Sequence, residues 1–100
     1  MQPGVAVRLR EDQPLWVMAA ADDRTLLAAR HATAGVVLLS WTTREELECG
    51  VAGLFGRAPR LFETHRPEQR TFGALLILAR RLGMRLRIDD YVVDHLRKAA

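Results

Sequence analysis

The chain has 100 residues, 49% of them hydrophobic and 27% charged, with a formal net charge of +3. That composition suits a single soluble globular domain with its own core and excludes disordered or collagen-like chains. One cysteine excludes an internal disulfide, no apolar run approaches a membrane span, and no secretory h-region is visible near Met1, so a cytoplasmic location is expected.

Charge is uneven along the chain. Residues 1–50 carry five Arg against seven acids, and residues 51–100 carry ten basic groups against five acids. All basic residues except Lys98 are arginine. Arg and Ala richness of this kind can follow from a GC-rich coding sequence, so the high pI is not by itself a sign of polyanion binding.

The first predicted element is "VAVRLR" (5–10), where Val5, Val7 and Leu9 alternate with Arg8 and Arg10 as in a half-buried strand. "LWVMAAA" (15–21) and "TLLAARH" (25–31) read as two strands joined by a tight turn at "DDR". "VVLLSW" (36–41) is β-branched and apolar on both faces, the pattern of a buried strand. The period then changes. Thr43 with Glu46, or Thr42 with Glu45, forms a capping box, and the acids of the first turn complement the helix dipole. The spacing predicts a helix to about Phe55, stopped by Gly56 and Pro59.

"RLFET" (60–64) reads as a short strand, and Pro67 as the first residue of a second helix through "TFGALLILARRL". Gly83 is its expected C-cap. "MRLRID" (84–89) alternates as a strand, and "YVVDHLRKA" (91–99) as a short last helix capped by Asp89 or Asp90. The expected class is α+β (mixed α/β): one central mixed sheet of about five to six strands, two longer helices and a short C-terminal helix, in one domain over 1–100. Both faces of strands 15–21, 25–31 and 36–41 are apolar. Either helices cover both sides or a second subunit does, and a homodimer is expected.

The segment "VVLLSWTTREELECG" resembles the amino-terminal domain of SseB-like proteins and related small uncharacterised bacterial domains. The shared pattern is a strand ending in an aromatic, then Thr, then Ser or Thr, then an "xEEL" helix. The aromatic is usually Phe in that pattern and is Trp41 here. "MRLRID" fits its later strand ending in Asp, and the likeness covers about residues 15–89. It implies a compact α/β module with no established catalytic residue, and no site is carried over.

The candidate sites follow. On a helix turning about 100° per residue, Leu47, Val51, Leu54 and Phe55 form the core face. Cys49 lies opposite, with acid rather than base one turn before it, so packing or an interface is expected rather than thiol chemistry. Cys49, Ala52, Gly53 and Gly56 make a small face suited to close approach of another subunit. His31, His65 and His95 have no metal spacing, and His65 stands at a turn of the kind that lines α/β crevices. Asp89, Asp90, Asp94 and His95 cluster; metal or general-base work is conceivable, but helix capping plus a solvated face explains them at much lower cost. Ser40 lacks the glycines of a nucleophile elbow, and "GLFG" (53–56) shares only letters with a KH loop.

Residues 57–87 hold eight Arg against two acids. On a helix begun at Pro67, Arg70 and Arg81 share a face that Arg66 can join, giving possible anion or nucleic-acid contacts. Arg85 and Arg87 should leave from the other sheet face, which splits the charge, and no aromatic side chains interleave with it. The reading is therefore a self-associating interaction or ligand-binding module without catalysis, cofactor, metal or membrane contact. The alternative is a nucleic-acid-binding protein using the 57–87 arginines.

Overall fold

The structure is a computed structural model that describes residues 9–22, 24–56 and 61–93. It is mixed α+β, as its sequence pattern requires. The elements are β1 (Pro14–Ala20), β2 (Ala28–His31), β3 (Gly35–Ser40), α1 (Arg44–Phe55), α2 (Leu61–Thr64), β4 (His65–Thr71), α3 (Phe72–Leu82), β5 (Arg85–Ile88) and β6 (Tyr91–Val93). Most of the strand expected at 5–10 lies outside the described residues.

The strands form two hydrogen-bonded groups rather than one sheet. β1 and β4 make an antiparallel ribbon, and a second sheet has the order β2-β3-β5-β6. Only β3 and β5 run parallel, with Val37 opposite Arg85 and Ser40 opposite Ile88. The two groups meet along one edge of β1. Ala20 N–H donates to Thr25 O and Leu27 N–H to Met18 O, while Trp16 and Trp41 exchange both backbone bonds at 2.7 and 2.8 Å. The β2–β3 hairpin thus leaves the edge of β1 after Leu27 and returns to it at Trp41. Its turn is closed by His31, whose Nδ1 accepts from Thr33 N–H and Ala34 N–H, both at 3.2 Å.

Side-chain alternation divides the core into two layers. Leu15 and Val17 of β1, Leu38 of β3 and Leu86 and Ile88 of β5 pack under Leu75 and Ala79 of α3. Met18 of β1, Val37 and Leu39 of β3 and Trp41 pack under Leu47 and Val51 of α1. Helices therefore cover both apolar faces, and the reason for expecting a covering subunit disappears. α1 is anchored by only those two fully buried side chains, each worth roughly 1.5–3 kcal/mol. Leu54 and Phe55, expected on its core face, are exposed because the helix runs past the layer it covers. Leu82 is exposed for the same reason at the end of α3.

Local chemistry sets the helix ends. Thr43 Oγ1 accepts from Glu46 N–H at 3.0 Å, the first half of the expected capping box. Gly83 ends α3 at φ 71°, a left-handed conformation that costs glycine little.

Three expected elements change type. Residues 61–64 form one helical turn, not a strand, because the neighbouring edge of β1 is taken by the residues that follow. Residues 65–71 form β4, not the start of a helix. The residue before a proline disfavours helix, and β1 offers seven residues of antiparallel pairing, from Pro14 opposite Thr71 to Ala20 opposite His65. α3 begins only at Phe72, where Thr71 Oγ1 caps Ala74 N–H, while Gln13 O and Glu11 O accept from Phe72 and Gly73 N–H. Pro67 sits at the outer edge of the ribbon. The odd-numbered residues of β1 bond to β4, so in register Arg66, Glu68 and Arg70 turn their backbone groups inward and Pro67 turns outward. Finally, of the helix expected at 91–99 only Tyr91–Val93 lies within the described residues, and it is a strand paired with β5; Asp89 takes φ 53°, and the two-residue turn reverses the chain. Tyr and Val are good strand formers, so tertiary pairing and propensity agree there.

Candidate functional site

β3 and β5 end side by side, and the chain leaves each through a turn that touches the other. Ser40 Oγ donates to Arg87 O at 2.8 Å, and Asp89 N–H donates to Ser40 O at 2.9 Å. The Asp89 carboxylate then grips Thr42 at two points, accepting from its N–H at 3.0 Å and from its Oγ1 at 2.9 Å. Asp89 can do this because its left-handed backbone turns the carboxylate toward the β3–α1 connection. Asp and Asn tolerate that conformation better than most residues.

The clamp holds one wall of a cleft of about 460 Å³. Trp41, Glu46, Cys49, Gly50, Arg87, Asp89 and Asp90 line it. Its position, at the carboxyl ends of the parallel pair and beside the start of α1, is where open α/β sheets commonly place ligands. Arg87 reaches it because β5 is in register with β3: Leu39 and Arg87 lie on the same face, the α1 side. The opposite alternation sends Leu86 and Ile88 into the α3 layer.

Gly50 shapes the cleft. A β-carbon there would overlap Trp41 Nε1 and lie 2.8 Å from Cε2, so the indole edge occupies the space a side chain would need. Trp41 is 2% exposed, and its neighbours hold it from both sides of the helix–sheet contact. Arg44, at the start of α1, stands 5.8 Å from the ring centre of Trp16 and pairs with Glu48 at 3.4 Å.

The expected site residues scatter. Cys49 is exposed on α1, off the core face as its helical angle required, and Ala52, Gly53 and Gly56 are exposed along the same helix. Arg66, Arg70 and Arg81 do not share a helix face: the first two are on β4 and the third is in the last turn of α3. Glu68 stands between the β4 arginines, 2.7 Å from Arg66 Nε and 2.8 Å from Arg70 Nη1. That pairing takes up charge the nucleic-acid reading would assign to phosphate. Asp94 and His95 lie outside the described residues, and Asp89 is engaged with Thr42. Among the described residues no group of three or more His, Cys, Asp or Glu is placed to hold a metal ion. His65 touches Thr64 Oγ1 at 2.8 Å and lines a smaller cleft of about 240 Å³ with Phe62, Glu63 and Arg66. Gly50, Trp41 and Arg87 are the cleft residues whose role there was missed. A mid-helix glycine, Gly50, in the helix that follows the strand-end Trp41 is the one local signal that pointed to them.

No family model matches the chain, and no curated protein and no solved structure matches it. Among the described residues no helix is long and apolar enough to cross a membrane.

Proposed function

We propose that this protein is a binding module without catalysis, and that its ligand is a small polar molecule held in the cleft between the β3–α1 connection and the β5–β6 turn. The observation that supports this most is the state of the polar groups there. Asp89 accepts two bonds from Thr42 that hold the cleft together, while Arg87, Glu46 and Asp90 make no side-chain hydrogen bond or ion pair among the described residues. Among the described residues the lining places no histidine beside Cys49, which favours binding over thiol chemistry.

The test is a fragment screen read by amide and indole N–H shifts. Movement of the Trp41 indole and of Gly50 and Arg87 amides supports the reading; fragments that bind only elsewhere remove it. The nucleic-acid reading keeps its own test, a DNA and RNA salt series, and absence of affinity at low salt ends it. For self-association, the supporting feature is the pair Leu54 and Phe55, exposed at the end of α1 beside Cys49, Ala52, Gly53 and Gly56. Light scattering at two concentrations decides it, and a monomer at both removes it.

A further inference from the structure

We infer that the ligand of this cleft is a zwitterion, carrying an ammonium and a carboxylate a few bonds apart, as a free amino acid does. The inference rests on the binding reading above and concerns only the ligand's chemistry.

Three observations lead to it. First, the cleft presents charges of both signs that leave one another unpaired. Among the described residues Arg87 forms no ion pair within 4.0 Å of Glu46, Asp89 or Asp90, although all four line the same 460 Å³ space. A ligand of one sign meets one set and is repelled by the other. A ligand of both signs meets both, its carboxylate on the planar guanidinium and its ammonium on Glu46 and Asp90.

Second, the carboxylates are not equivalent. Asp89 already accepts two bonds from Thr42. Glu46 and Asp90 are exposed and accept none from side chains, so they are the acceptors left for an ammonium. Among the described residues the lining has three acids to one Arg, which draws in the ammonium end and disfavours a simple anion.

Third, a donor is stranded in the wall. Trp41 is 2% exposed, lines the cleft, and its indole N–H has no hydrogen-bond acceptor among the described residues. Buried polar groups are ordinarily satisfied. Its edge reaches the wall because residue 50 is glycine. A carboxylate oxygen on Arg87 has a second lone pair to offer such a donor. The volume lies within the roughly 300–1,000 Å³ of small-molecule pockets.

The experiment is a titration of the full chain by NMR. The probes are L-alanine, L-serine, L-glutamate and L-phenylalanine, each with its amide, which lacks the carboxylate, and its N-acetyl form, which lacks the ammonium. The expected result is at least one free amino acid that moves the Trp41 indole N–H and binds about tenfold or more tightly than both of its analogues. Arg87→Gln should remove the preference over the amide, and Glu46→Gln with Asp90→Asn the preference over the N-acetyl form. The unmodified chain suffices should a variant fail to fold, since the analogues carry the test. An amide or N-acetyl form binding as well as its parent overturns the zwitterion while leaving the cleft a binding site. So does a fragment that moves the indole when no amino acid does. If neither fragments nor amino acids move it, the zwitterion and the binding reading both fail.

Discussion

Two regions of this small protein carry charge, and they treat it differently. On β4, Arg66, Glu68 and Arg70 alternate along one face, and the acid lies between its two partners. At the ends of β3 and β5, Asp89 is committed to Thr42, while Arg87, Glu46 and Asp90 are left without side-chain partners among the described residues. The two arginines of β4 are thus partly engaged by one acid, whereas among the described residues Arg87 is not. A count of basic residues points to β4, whereas the pairing pattern points to the cleft. What matters for binding is charge left over after the fold has satisfied itself.

Four measurements can break or sharpen that comparison. The largest effect is expected for Gly50→Val, which forces Trp41 out of its place; overpacking of this kind costs about 1–3 kcal/mol, read by urea unfolding, with the indole N–H signal shifted. A variant of wild-type stability and unchanged indole signal contradicts the contact. Next, Asp89→Ala loses two solvent-exposed bonds to a carboxylate and a residue that tolerates left-handed backbone, for about 1–2 kcal/mol. Asp89→Gly is the companion variant: it relieves the backbone but not the lost bonds, and should fall between the two. Glu68→Ala should cost about 1 kcal/mol or less, since its arginines remain partly solvated. Should it cost more than Asp89→Ala, the ranking of the two regions is reversed.

The smallest effect belongs to the β1–β2 turn. Backbone bonds from Arg24 and then Thr25 hold the Asp22 carboxyl below its ordinary value of 3.8. A group whose folded value is depressed stabilises the fold above its unfolded value, and that contribution is lost as pH falls through the folded one. Asp22→Asn should therefore lower stability slightly at neutral pH and converge on the unmodified chain as pH falls below about 4, so that its acid limb is flatter. Unfolding curves across that range check it, and an unaltered acid limb counts against the turn's role.

What could be read from the sequence was the chemistry of near neighbours. Thr43 and Glu46 are three residues apart, so the start of α1 is written in one turn of chain, and Gly83 marks the end of α3 in the same way. The strands with two apolar faces announced a covered sheet, although their covering turned out to be α1 and α3. β4 was misread because Pro67 suits a helix start and an edge strand alike, and only the free edge of β1 decides between them. The cleft is not legible in the sequence for a similar reason. Thr42 and Asp89 are 47 residues apart, and nothing near either of them reveals that the other is its partner. The acid cluster at 89–94 was noticed for metal chemistry, while the part of it that the structure describes serves as a clamp on the opposite loop.

Pro67 has a consequence at the level of association. Strands recruit strands by offering a row of unpaired N–H groups, and among the described residues the outward row of β4 is interrupted at Pro67, the second of its four outward positions. A second chain laid along that edge would find no donor at Pro67. Growth of the ribbon by edge addition, the route by which small sheets aggregate, is blocked there by one ring, and Pro67→Thr is the change that would reopen it.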